Sequence, residues 1–291
     1  VQDGMNRGKQ MGRLWKKLAA FLLAGVLTGC SAPAKEMQQP VERSLFAMNT
    51  YMTFTVYGED AQAALQEAEE CIQQVEGLWS VTDENSEIYQ ANHSGGQPVT
   101  VSEETAEIIS FALEMAQRTG GALDPTIYPV LTAWGFTTDS KQVPSQQRIT
   151  RLLEQVGYDR IRLNGTELTV PDGMELDLGA VGKGYTADLV TEILRRHGVT
   201  SALISLGGNI QAIGSRPDGS DWRLGIRAPW ESGNLGVLTV SDAAVVTSGG
   251  YENYFDDEQG NIYWHILDPS TGYPADRGPQ WVTTAGGEGT R

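Results

Sequence analysis

The segment LDLGAVGKGYTADLVTEILRRHGVTSALISLGGNIQAIG, Leu176–Gly214, alternates short apolar runs with glycine clusters. It reads as a strand ending at Leu178, a glycine-rich turn, a helix from Tyr185 to His197, and two strands, Ala202–Leu206 and Ile210–Ile213. Paired glycines, Gly207-Gly208, between the last two runs are the signal of a tight turn. Working outward towards the C-terminus, further strands are expected at Trp222–Ile226, Gly236–Val240, Ala244–Thr247, Tyr251–Phe255 and Ile262–Ile266. Towards the N-terminus lie short strands at Arg160–Leu163, Glu167–Val170 and Glu175–Leu178, and a strand at Met52–Tyr57. Helices are expected at Asp60–Trp79, at Ser102–Arg118, capped by Ser102 and closed by Gly120-Gly121, and at Pro144–Val156. Helices early and strands late predict an α+β class with a largely antiparallel β-sheet core and flanking helices.

The first thirty residues have a different character. Arg13, Lys16 and Lys17 precede an apolar run, Leu18–Leu27, too short to span a bilayer but suited to a signal-peptide core. Leu27-Thr28-Gly29-Cys30 follows, small residues directly before a cysteine, as in the lipobox of bacterial lipoproteins. The expectation is that residues 1–29 are a lipoprotein signal peptide with leader and that Cys30 carries the lipid. Residues 30–42 then form a Pro/Gln/Ala-rich tether, and 43–291 form the globular domain. This predicts a lipid-anchored protein on the periplasmic or extracellular face of a bacterial membrane.

Residues 1–29 hold five Lys or Arg and one Asp, so removing this +4 segment from a chain of −16 leaves −20. So acidic a surface excludes nucleic acid as a partner and adhesion to anionic lipid through basic patches. With Cys30 lipidated, Cys71 stands alone; no intrachain disulfide or cysteine metal site is possible. Cys71 falls on the apolar stripe Ala64, Leu65, Ala68, Ile72, Val75, Leu78 and Trp79, and is expected to be a buried core thiol.

Four segments are too polar and too rich in glycine for packing alone. Gly120–Thr126 (GGALDPT) presents Asp124 just before a proline, either as a turn cap or as a ligand contact. Leu176–Gly184 combines three glycines with Lys183, a candidate phosphate site in which backbone amides at a helix start and one point charge meet an anion. It is neither a Walker A loop nor GxGxxG. Ser205–Asn209 (SLGGN) ends a strand. His265, in WHILDPSTGYP (Trp264–Pro274), is the one histidine of three flanked by site-like residues; His197 lies at a helix C-terminus and His93 in a polar loop.

Taken in order, these segments resemble the ApbE family of FAD:protein FMN transferases, formerly described as thiamine-biosynthesis lipoproteins. The likeness runs through Met48-Asn49-Thr50 (Met-Gly-Thr in the family), Leu78-Trp79-Ser80 with Ser86-Glu87-Ile88, Gly120–Phe136, Leu176–Asp188, Ile204–Ile210, Ser248–Tyr251 and His265–Pro274. The resemblance implies an ApbE-like fold and an enzyme that cleaves FAD, attaches FMN through a phosphoester to a Thr or Ser of a target flavoprotein, and releases AMP. By position it implies that Met48, Trp79, Ala122, Leu123, Asp124, Asp177 and Lys183 contact FAD as substrate. Ala180 would offer its carbonyl to Mg²⁺, and His265 would be the base. It also implies exported targets, such as flavoprotein subunits of Rnf-type or sodium-pumping NADH:quinone oxidoreductase complexes or other extracellular flavin carriers.

One departure follows from the same comparison. The family places an Ala-Asp-Ala-x-x-Thr segment, whose Asp and Thr complete the Mg²⁺ site, about where this sequence stops at Gly287–Arg291. The expectation is a C-terminally truncated domain with an incomplete metal site. Two alternatives share the motifs: an FAD pyrophosphatase that uses water as acceptor, and a non-enzymatic lipid-anchored flavin-binding protein.

Overall fold

Strands β1 (Val41–Ala47) and β2 (Thr50–Tyr57) form an antiparallel hairpin whose two-residue turn, Met48-Asn49, has both residues at positive φ, 50° and 57°. Asparagine tolerates that left-handed backbone, which is how Asn49 stands in for glycine. This computed structural model describes residues 39–138, 140–229, 232–276, 278 and 281–287. The signal segment, Cys30 and the tether as far as residue 38 lie outside the described residues. The tether was expected to reach Glu42, but pairing of Val41 and Glu42 with Val56 and Thr55 makes them part of β1.

Helix α1 (Ala61–Trp79) follows, then α2 (Glu87–Asn92), β3 (Val99–Thr100), α3 (Glu103–Arg118), α4 (Tyr128–Trp134) and α5 (Gln146–Leu153). Side chains of Ser86, Ser102 and Ser145 cap α2, α3 and α5 by accepting N–H bonds from Tyr89, Thr105 and Arg148. After β4 (Arg162–Asn164) and β5 (Glu167–Thr169) comes α6 (Gly179–Arg196). The rest is β: β6 (Ser201–Leu206), β7 (Asn209–Ile213), β8 (Trp222–Arg227), β9 (Asn234–Val240), β10 (Ala243–Gly249), β11 (Tyr254–Asp256), β12 (Ile262–Trp264), β13 (Leu267–Asp268), β14 (Tyr273–Pro274) and β15 (Trp281–Gly286).

The main sheet has six strands in the order β1-β2-β6-β7-β10-β15, every pair antiparallel, so the expected α+β class with an antiparallel core holds. The early hairpin supplies one edge of this sheet. Alternation in TYMTFTVY turns Met52, Phe54 and Val56 inward, against Ala64, Leu65, Ala68 and Ile72 of α1 and Ala187, Val190 and Leu194 of α6. Each fully buried large side chain here is worth about 1.5–3 kcal/mol of transfer free energy. A second core lies around α3, with Ile108, Ile109, Leu168, Met174 and Leu176; a third surrounds Trp134. Among the described residues no helix is long and apolar enough to cross a membrane.

Several expectations are corrected. Glu175–Leu178 belongs to no sheet; the side chain of Asn92 takes both backbone groups of Leu176, and the Asp177 N–H donates to the Pro125 carbonyl at 2.8 Å. Helix α6 starts six residues earlier than expected, so the glycine-rich turn is its first turns. Glycine costs about 1 kcal/mol in a helix, but here Gly182 lets α6 close on the Met48 methyl, which a Cβ would approach to 3.3 Å. Tyr251–Phe255 is split between a 3-10 turn, Gly250–Glu252, and β11, because only a residue without Cβ fits Gly250 against Trp264. Cys71 is half-buried on the edge of the first core, not enclosed. Its burial and the Glu67 charge raise the thiol pKa.

Candidate active site

Three chain turns meet at one end of the main sheet. The β1–β2 turn carries Met48. Its backbone N–H donates to Glu76 Oε1 at 2.7 Å, and its sulfur accepts the Thr186 hydroxyl at 3.6 Å, so the turn is pinned to α1 and α6 together. The β6–β7 turn, Gly207-Gly208, lies beside it, because Met52 pairs with Leu206. A Cβ on Gly207 would stand 2.0 Å from Thr50 Oγ1, so glycine is what allows the two turns to nest. The third is the start of α6, held against Met48 through Gly182.

Asp177 sits just before α6, where the backbone amides of Gly179 and Leu178 and the Lys183 charge favour its ionised form. Burial outweighs these favourable interactions and raises its pKa. Burial likewise lowers the pKa of Lys183, with Asp177 opposing the shift. The positive charge at the start of α6 is Lys183.

His265 follows β12 and is half-buried. Its Nδ1 lies 3.2 Å from the Asn253 carbonyl, which can only accept; Nδ1 therefore carries the proton, and Nε2 presents a lone pair. Burial is the largest cause lowering its pKa, and the charges of Lys183 and Lys141 lower it further against the pull of Glu252. The imidazole is neutral at pH 7. Lys141, which the motifs do not contain, donates to the Tyr254 carbonyl at 3.0 Å and so sits behind the segment that orients His265. The loop after His265 is anchored by Trp134 Nε1, which donates to the Gly272 carbonyl at 2.8 Å.

The remaining candidates divide. Asp124 is buried, and its carboxylate is taken up by protein donors: Oδ1 accepts from the Thr126 N–H and hydroxyl in its own loop, and Oδ2 from the N–H of Tyr158, 34 residues on. It shapes the Leu123–Pro125 turn that receives the Asp177 N–H. Ala122 is exposed, and Leu123 rests on the second core. Trp79 is buried in that core, donates to Thr105 Oγ1 at 3.2 Å, and meets Tyr185 edge-on at 5.9 Å. Ala180 is exposed in the first turn of α6. Among the described residues no three His, Cys, Asp or Glu side chains cluster as a metal site would require.

Comparison with known proteins places this arrangement. The model of the ApbE family matches residues 48–290. A Treponema pallidum protein named FAD:protein FMN transferase is 33% identical over 256 residues, covering 80% of this chain and 70% of its own. A Klebsiella pneumoniae protein of the same name is 34% identical over 246 residues, covering 82% and 75%. The crystal structure of the ApbE protein from Thermotoga maritima superposes with a TM-score of 0.81 at 32% identity, covering 87% of this chain and 83% of that one. On its ordered motifs, its fold and these matches, the chain belongs to the ApbE family.

Proposed function

We propose that this protein is an FAD:protein FMN transferase, and the observation that carries the reading is the orientation of His265, whose Nδ1 is held by the Asn253 carbonyl so that Nε2 is left to accept a proton. Relatives with that name share the chain over most of its length. The hydroxyl of a target Thr or Ser loses its proton to His265 Nε2 as its oxygen forms a bond to the FMN phosphorus. The pyrophosphate bond on the other side of that phosphorus breaks, and AMP leaves with the bridging oxygen. Lys183 offsets the charge that gathers on the phosphates. Asp177 and the Leu123–Pro125 turn hold the α6 start in place.

Three further parts of the reading rest on the sequence. Mg²⁺ is the proposed metal, with the Ala180 carbonyl as one ligand. Cys30 is the proposed lipid site, which would hold the domain on the outer face of a membrane. Exported flavoprotein subunits of Rnf-type or sodium-pumping NADH:quinone oxidoreductase complexes, or other extracellular flavin carriers, are the proposed targets.

The test is incubation with FAD and a candidate flavoprotein, with Mg²⁺ or with EDTA, read as covalent flavin fluorescence on the target in a denaturing gel. Labelled target supports transfer. Free FMN and AMP with unlabelled target would make the protein a pyrophosphatase, and intact FAD a binder only. Membrane retention of a Cys30→Ser variant after detergent-free fractionation would overturn the lipid proposal.

A further inference from the structure

We propose that Asn209 is a substrate-positioning residue, whose side-chain oxygen accepts a hydrogen bond from a hydroxyl of the flavin nucleotide beside its phosphates. This rests on the FAD-dependent reading above. Asn209 is 5% exposed, and its Oδ1 has no hydrogen-bond partner among the described residues. An amide oxygen shut away from water without a donor costs about 1–3 kcal/mol, a price a fold retains where something else supplies the donor.

Its location identifies that donor. Asn209 follows Gly207-Gly208 and pairs with Leu206 on one side and Val246 on the other, so its side chain shares the helix-covered face with Leu206 and Met52. Helix α6 runs along β7 from this end: its C-terminus leads into Ser201, opposite the far end of β7, and Gln211 Nε2 donates to Asp188 Oδ1 at 3.0 Å. Stepping back from Gln211 to Asn209 covers about 7 Å. On a helix rising 1.5 Å per residue that is four to five residues, which sets Asn209 beneath Lys183 and Gly184.

The other buried unpartnered side-chain atoms differ in position. Ser201 begins β6 at the opposite end of the sheet, Thr191 lies in the later half of α6, Trp222 is in β8 and Ser94 follows α2. Asn209 combines an unmet acceptor with a place next to the cation of the site. An acceptor there is unsuited to phosphate oxygens, which carry no proton, and suited to the hydroxyls adjoining them on the ribityl and ribose chains.

The experiment replaces Asn209 with Leu, close in volume and unable to accept, and measures FAD, FMN and AMP binding by calorimetry together with thermal unfolding without nucleotide. FAD affinity is expected to fall roughly three- to tenfold, the scale of one hydrogen bond, and the ligand-free midpoint to hold or rise. The loss should recur with FMN if the hydroxyl is on the ribityl chain, or with AMP if it is on the ribose. Unchanged affinity for all three, or a ligand-free midpoint lowered by several degrees, would overturn the proposal. Should leucine fail to pack, Asn209→Val gives the same comparison with a smaller, strand-favouring side chain. Wild-type protein that binds no FAD would instead overturn the functional reading itself.

Discussion

Asn92 stands in for a β-strand opposite Leu176: its Nδ2 donates to the Leu176 carbonyl at 2.9 Å, and its Oδ1 accepts the Leu176 N–H at 2.8 Å. One side chain at the end of α2 thereby completes the backbone pairing of a segment 84 residues away. That segment carries Asp177 and delivers the chain into α6, so a bond pair remote from the chemistry sets the position of Lys183.

Replacing Asn92 with Ala removes both bonds and leaves two backbone groups of a buried residue unmet. Each costs about 1–3 kcal/mol, and the expected loss is about 2–6 kcal/mol in urea unfolding. FAD affinity should fall in parallel as the α6 start loosens. A change under about 0.5 kcal/mol would show that the segment holds its place without Asn92.

His265→Ala is expected to lower FMN transfer about a hundredfold or more while leaving FAD affinity nearly unchanged, the pattern of a lost general base. The base must be unprotonated, and burial with Lys183 and Lys141 holds its pKa below the ordinary 6.5. Transfer should therefore rise with pH along a limb centred below 6.5 and level off above it. Lys141→Gln removes one of the charges that lower the pKa and should move the limb upward. A limb centred above 6.5, or transfer untouched in the alanine variant, would place the base elsewhere.

Gly207 and Gly208 form one turn but are not equivalent. A methyl on Gly207 would overlap the Thr50 hydroxyl and also sit at φ +57°, whereas the nearest atom to a methyl on Gly208 is 3.6 Å away. Gly207→Ala is expected to cost about 2–4 kcal/mol, and Gly208→Ala about 1 kcal/mol, the cost of the left-handed backbone alone. Equal losses in chemical denaturation would mean that the two hairpin turns do not nest as described.

His197 lies between two carboxylates, bonded through Nδ1 to Asp60 and through Nε2 to Glu67 at 2.7 Å, with Arg196 also on Glu67. The two acceptors raise the His197 pKa above 6.5, and the two cations lower that of Glu67 below its ordinary 4.5. The histidine's contribution is fully present below pH 6.5 and is lost as pH rises through its raised folded value; Glu67's is present above 4.5 and is lost as pH falls through its lowered one. This clasp between the start of α1 and the end of α6 is complete between those limits. Melting temperature against pH should decline above 6.5 in the wild type, and His197→Gln should flatten that decline. An unchanged slope would show that the pairs contribute nothing measurable in solution.

The elements most legible in the sequence are those whose physics is local. TYMTFTVY alternates because a half-buried strand must, α1 shows its stripe of Ala64, Leu65, Ala68 and Ile72, and Ser102 announces the start of α3. The antiparallel core was legible for the same reason, since Gly207-Gly208 permits little but a tight hairpin. The segments Gly120–Thr126, Leu176–Gly184, Ser205–Asn209 and Trp264–Pro274 stood out because packing does not require so many glycines and polar residues together. What the sequence could not determine depends on atoms far apart in it. Only tertiary contact decided that Glu175–Leu178 pairs with a side chain and not with a strand, and that α6 begins within its glycines because Gly182 meets Met48. It also decided that the Asp124 carboxylate is taken up by Thr126 and by the distant Tyr158, and that the Asn209 oxygen lies buried with no donor of its own among the described residues. Propensity and periodicity report what each stretch of chain prefers, whereas hydrogen-bond satisfaction and exclusion of volume are settled only when distant stretches meet.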